Sequence, residues 1–184
     1  MMTAGILLIA AAFSLAVYNL HDEKRAETEA EKVVEQLPEP LPPVRPQPSD
    51  PGEQEIPDYI LNPDMEMPVM EIDGNGYIGT LTIPSLGLSL PVMSEWSYPK
   101  LRIAPCRYTG SAYQGNLTIA AHNYRTHFGR LDELAVGDLV EFTDIDGNEF
   151  SYKVDEVQIL APTAIEEMIE SDWDLSLFTC TLGG

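Results

Sequence analysis

The sequence predicts a mostly β domain, a barrel or a sandwich, carried behind an apolar N-terminal helix and a proline-rich spacer. Three observations predict it. Residues 1–20 contain no charged side chain. Residues 37–70 hold ten of the fifteen prolines. From about residue 71 onward, short apolar segments follow one another between Gly, Pro and Asp turns, with few helical stretches. No internal repeat is present.

The 184 residues carry 30 Asp and Glu against 10 Lys and Arg, a formal charge of −20. Nucleic-acid phosphates need a basic surface, so this balance excludes nucleic acid as a partner. Two cysteines cannot build a four-cysteine zinc cluster or a disulfide-dense scaffold. An apolar share of 44% argues against disorder along the whole chain.

Taken in order, residues 1–20 read MMTAGILLIAAAFSLAVYNL. A membrane span needs about 20 mainly apolar residues, so a transmembrane anchor is expected. The alternative is a signal peptide cleaved near Ser14-Leu15-Ala16. No Lys or Arg precedes the run, while Lys24 and Arg25 follow it. Charge bias alone would put the remainder in the cytoplasm. The Met1-Met2 start suggests that a basic segment belongs upstream.

Residues 21–36, HDEKRAETEAEKVVEQ, are helix formers with little apolar face, and a solvated helix or stalk is expected. Residues 37–70 are expected to form an extended, flexible, partly polyproline II spacer that packs little. Residues 21–69 carry 13 acids and 4 bases, which read as solvation. The remaining 114 residues, 71–184, are enough for a core of their own. Anchor, spacer and domain in this order suit work at a distance from a membrane.

Within residues 71–184, Thr80-Leu81-Thr82-Ile83 alternates polar and apolar as a half-buried strand does. Pro84-Ser85-Leu86-Gly87 breaks it, and residues 88–92 resume. Residues 97–103 suit one or two helical turns, with Pro99 near the first-turn position. Residues 116–122, NLTIAAH, read as a strand. Residues 128–134 suit a short helix. Residues 138–143 form a strand, and Asp146-Gly147 signals a hairpin turn. Phe150, Tyr152 and Val154 then share a face, with a bulge before Val157 and Ile159. Residues 163–171 read as a helix capped by Thr163, with Glu166 and Glu167 near its positive end. Residues 175–179 form a final strand.

A thiol nucleophile works as thiolate, made available by a nearby base or imidazolium. The candidates are Cys106 and Cys180, with His122 and His127 as partners; His21 lies beside the apolar run. Cys180 and His122 each end a predicted strand, where side chains meet at a rigid rim. The spacing alone leaves open that either cysteine is a small buried apolar residue. His127 is expected on a loop or at the surface. Asp144-x-Asp146-Gly147-Asn148 resembles the start of a calcium loop, but Glu149 stands where Gly belongs and Asp155 where Glu belongs, so a hairpin turn is expected.

Leu177-Phe178-Thr179-Cys180 resembles the Thr-Leu-x-Thr-Cys signature of the sortases, with Ser176 where the pattern has its first Thr. Ala121-His122-Asn123-Tyr124, after an apolar strand, resembles the segment around the sortase catalytic histidine. The order agrees, His preceding Cys by 58 residues. Gly79-Thr80-Leu81-Thr82-Ile83-Pro84 resembles the opening strand of the family's barrel, and residues 137–152 its middle hairpin. The resemblance covers residues 76–184.

The resemblance implies a closed eight-stranded β-barrel with short helices. It implies a single-pass cell-membrane protein whose catalytic domain lies outside a Gram-positive cell, which overrides the charge bias of the flank. The implied activity is that of a cysteine transpeptidase. Its partners would be a sorting-motif peptide of the Leu-Pro-x-Thr-Gly type on secreted surface proteins or pilins, and an amine of a cell-wall precursor or pilin lysine. Carried over by position, Cys180 is the nucleophile, His122 the general acid/base, and Thr179 helps shape the substrate site. No cofactor is implied and no metal ligand is assigned.

The family also uses an arginine on the strand after the cysteine, to steady the oxyanion. The sequence ends at Gly184, and Arg102, Arg107, Arg125 and Arg130 match no motif for that role. The expectation is a catalytic domain that is C-terminally incomplete, with a sheet edge left open and little activity as given. The alternatives are a catalytically impaired peptide-binding domain and a membrane-tethered structural β domain. A Cys106–Cys180 disulfide would silence the nucleophile.

Overall fold

The computed structural model describes residues 2–38, 56–161, 163–164 and 172–180. It opens with a long helix, α1 (Met2–Val34). The segment is rich in Ala, Leu and Glu and free of proline, which favours helix. At about 1.5 Å per residue it extends for roughly 50 Å. Its first half is apolar and exposed, with Ile6, Leu8, Ile9 and Phe13 all open. Among the described residues it is the one helix long and apolar enough to cross a membrane.

The second half of α1 corrects the expectation of a solvated stalk. Ala26, Ala30 and Val33 are buried at helical spacings of four and three, and Leu37, just past the end of α1, is buried too. Val33 and Leu37 join a core cluster with Ile72, Tyr77, Met93, Ala104 and Cys106. The stripe escapes a sequence reading because Ala buries little area and the intervening residues are charged.

Among the described residues eight strands follow: β1 (Met70–Ile72), β2 (Asn75–Ile83), β3 (Leu88–Met93), β4 (Cys106–Thr109), β5 (Leu117–Ala120), β6 (Leu139–Asp144), β7 (Glu149–Lys153) and β8 (Leu175–Phe178). The short helices α2 (Asp58–Leu61) and α3 (Tyr98–Leu101) accompany them. The sheet runs β7-β6-β2-β3-β4-β5-β8, with β1 also on β2. Pairing is antiparallel except for β3–β4 and β5–β8. The result is the expected mostly β fold, a nearly closed barrel. Leu81, Ile83, Val92, Leu117, Ile119 and Phe142 fill its core.

The local signals produce the expected turns. Pro84 opens a 3-10 turn that Gly87 ends in the left-handed region. The Ser97 side chain caps α3, with Pro at its start. At the β6–β7 hairpin Asp144 is buried and accepts from Tyr113 Oη at 2.6 Å, from Asn148 Nδ2 and from the backbone N–H groups of Asp146 and Asn148. Those four bonds match the roughly four lone-pair sites of a carboxylate, so the calcium-like pattern is a turn.

Three expectations need correction. Residues 56–67 pack onto the barrel instead of lying free: Tyr59 stacks on Tyr113 at 4.8 Å, and Met67 is buried. Pro fixes the backbone but leaves the aromatic and Met side chains between prolines free to dock. Residues 128–134 form only a 3-10 turn at Leu131–Glu133. Strand β7 ends at Lys153; Val157 and Ile159 are exposed and residues 154–161 are irregular. Residues 39–55 of the expected spacer, and 165–171 of the expected helix, lie outside the described residues.

Candidate active site

Strand β5 runs parallel to β8 in one unbroken register, from Leu117 opposite Leu175 to Ala120 opposite Phe178. The contact continues past the strands. Ala121 N–H donates to Phe178 O at 3.1 Å, and Thr179 Oγ1 donates to Ala121 O at 2.9 Å. The next residues are His122 and Cys180. They leave the same end of two adjacent strands, which in a sheet lie about 4.8 Å apart. Cys180 is exposed and free; His122 is half-buried.

The loop after His122 is wound tightly. His122 O accepts from Phe128 N at 3.2 Å, and Tyr124 O from Gly129 N at 2.8 Å. A Cβ on Gly129 would lie 2.3 Å from Asn123 O, so the chain can pass here only with glycine. This winding folds Tyr124 back over His122. The two rings stack with centroids 4.9 Å apart and planes at 29°. Tyr124 Oη donates to Asp22 Oδ2 of α1 at 2.7 Å. Burial, and then the Arg102 guanidinium, hold the His122 pKa below its usual value, with Asp22 pulling the other way. Burial, with the Asp22 contact, pushes the Tyr124 hydroxyl up to about 12.

His127 lies on a loop, as expected, but not at the surface. It is wholly buried, its ring 5.4 Å from that of Tyr124, and neither ring nitrogen has a hydrogen-bond partner among the described residues. Burial first, and then His122, lower its pKa to about 4. The unfolded chain protonates this group near its ordinary value of 6.5, the folded chain only near 4. Stability from this group is therefore fully present above about pH 6.5 and is lost as pH falls toward 4, by about 3 kcal/mol. The expected outcome is a urea midpoint that drops between pH 7 and pH 4.5 more steeply in the parent than in His127→Phe. Parallel profiles would refute it.

Cys106 is buried on β4, its Sγ 3.4 Å from Ala104 O, and burial pushes its thiol up to about 12. It is a core residue, and both cysteines are free, so the disulfide alternative is not realised. Next to Cys180, Phe178 meets Tyr108 edge-on at 5.3 Å, Tyr108 stacks on Trp96 at 5.2 Å, and Trp96 meets Tyr98 at 5.7 Å. Trp96 and Tyr98 are exposed. The sequence reading missed this aromatic row because its members come from three separate segments.

The arginines differ in their surroundings. Arg107 donates to Ser94 O, and Arg130 binds Leu86 O and Glu133. Arg125 lies 3.9 Å from Glu133. Arg102 is exposed and, with Arg25, Tyr98, Pro99 and Ile103, lines a cleft of about 390 Å³. Among the described residues no three His, Cys, Asp or Glu side chains are grouped to hold a metal.

A family profile described as Sortase domain matches residues 81–183, a span that includes both His122 and Cys180. Among solved structures, sortase C1 from Streptococcus agalactiae is similar with a TM-score of 0.53 at 22% identity, over 71% of each chain. A sortase D5 transpeptidase from Clostridium perfringens is similar with a TM-score of 0.51 at 23% identity, over 61% of this chain and 74% of its own. A lid mutant of the Streptococcus agalactiae sortase C1 gives 0.51 at 22%, over 62% and 63%. At these identities the likeness is one of fold. The comparison with curated proteins gave no match.

Proposed function

The chain belongs to the sortase family, and on that premise we propose that it is a membrane-anchored cysteine transpeptidase with Cys180 as nucleophile and His122 as general acid/base. The observation that carries this reading is the parallel β5–β8 register, which delivers both residues to one end of the sheet. Thr179 shapes the site by tying the two strand ends together through Ala121 O.

In this reading the Cys180 proton passes to His122, and the thiolate attacks the threonine carbonyl carbon of a sorting motif. A C–S bond forms as the C–N bond breaks, and His122 gives the proton to the departing amine. An incoming amine then attacks the thioester and loses its proton to His122. The amide forms and the thiol is restored. A neutral His122 at rest, favoured by burial and Arg102, suits the first proton transfer. The aromatic row from Phe178 to Tyr98 offers an apolar wall for Leu and Pro of the motif. The apolar run of residues 1–20 anchors the chain in the cell membrane with the domain outside. The acceptor is an amine of a cell-wall precursor or pilin lysine.

The test uses the full chain in detergent with a panel of Leu-Pro-x-Thr-Gly-type peptides and an added amine. The expected result is cleavage after the threonine and a new amide with the amine. Absence of both products across the panel would count against the reading.

A further inference from the structure

Resting on the proposed role of His122, we propose that Asp22 of α1 and Tyr124 form a positioning pair that holds the imidazole for catalysis, making the membrane-proximal end of the helix part of the active site. Four contacts carry this. Tyr124 stacks on His122 at 4.9 Å. Its hydroxyl donates to Asp22 at 2.7 Å, across 102 residues of sequence. Asp22 is in turn fixed by Arg25 at 2.9 Å. One residue further on, Arg125 N–H donates to Glu23 Oε1 at 2.6 Å, so the helix clamps the same loop twice.

The need for such a clamp follows from what surrounds the ring. His122 lies beyond the last residue of β5, so no strand ladder fixes its side chain. Behind Tyr124 stands the buried ring of His127, which offers van der Waals support but makes no hydrogen bond among the described residues. Hence Tyr124 can be tethered only at its outer, hydroxyl end, and α1 supplies the acceptor. The charged and titratable groups facing the cluster are Asp22, Glu23 and Arg25 from α1, Arg102 after α3, and His127 from the loop itself. Asp22 also follows closely on the apolar run of residues 1–20. The tether therefore joins the site to the point where the helix leaves its apolar half.

The test compares the full chain with Asp22→Ala, Asp22→Asn, Tyr124→Phe and the double variant Asp22→Ala/Tyr124→Phe. Loss of the tether is expected to lower kcat for sorting-peptide cleavage roughly tenfold with KM unchanged, since small misplacements of a catalytic group are costly. The double variant should be no worse than either single one, because both cut the same bond. Asp22→Asn keeps an acceptor oxygen and should recover most of kcat although it removes the charge. NMR of the His122 Cε1–H needs no substrate: its shift should move in Tyr124→Phe, and its titration midpoint should fall in Asp22→Ala. If the parent cleaves no peptide, the proposed function fails and the NMR arm alone decides this inference. Unchanged kcat in an active parent's variants, or unchanged His122 signals in any case, would overturn it.

Discussion

Replacing Cys180 with Ala is expected to abolish acyl transfer while leaving the melting temperature within about 2 °C of the parent. The two halves of this outcome have separate causes. Cys180 is exposed, so its loss opens no cavity and breaks no core contact. The chemistry, by contrast, has no substitute. Cys106 is buried, with a thiol pushed up to about 12, and cannot supply a thiolate at neutral pH. Loss of a nucleophile of this kind lowers kcat by a factor on the order of 10⁴ to 10⁶. His122→Ala should cost roughly 10³ for the lost proton transfers. The double variant should be no slower than Cys180→Ala alone, because the two groups act as a unit. Activity of Cys180→Ala within tenfold of the parent, measured as peptide cleavage, would remove Cys180 from the mechanism.

Gly79→Ala is expected to be severely destabilising. Gly79 sits on β2 opposite Asp144 of β6, with φ at +152°, next to the register shift between Tyr77 and Gly79. A Cβ there would meet Thr143 O at 2.0 Å and Asp144 Cα at 2.9 Å, both backbone atoms that cannot rotate away. The β2–β6 ladder would have to part, and with it the Asp144 cap of the hairpin. A loss of about 4 kcal/mol places the change among the severe ones. For a chain of this size it lowers Tm by roughly 8–16 °C. Gly74→Ala separates the two contributions, because Gly74 has φ at +78° but nothing within 4 Å of the place its methyl group would take. It should cost only about 1 kcal/mol of backbone strain. Equal losses in the two variants would show that φ, and not the close approach, governs Gly79.

What the residues reveal on their own divides by range. Strands β2, β3, β6 and β7 are legible because each alternates over a few residues and ends at a chemical stop such as Pro84, Gly87 or Asp146-Gly147. The proposed nucleophile and histidine are legible because short segments around Cys180 and His122 carry the family's pattern in the family's order. The failures are long-range. The stripe of Ala26 and Ala30 reads as polar helix because only the facing barrel reveals that small residues are needed for close approach. Tyr59 sits among prolines, and its partner Tyr113 lies 54 residues away. The Asp22–Tyr124 contact joins the start of the chain to the site loop, and no local signal foretells it. His127 looks like a loop histidine because loops usually lie outside; here the winding that buries Phe128 buries its neighbour too.

The central claim is that Cys180 carries an acyl group between two amines. Intact-mass and peptide-mapping spectrometry of the full chain, quenched in acid after mixing with a cleavable sorting peptide, tests it most directly. The expected result is an adduct with the mass of the acyl fragment up to threonine, mapped to Cys180, removed by hydroxylamine and absent from Cys180→Ala. An adduct on Cys106, or peptide turnover that persists unchanged in Cys180→Ala, would contradict it.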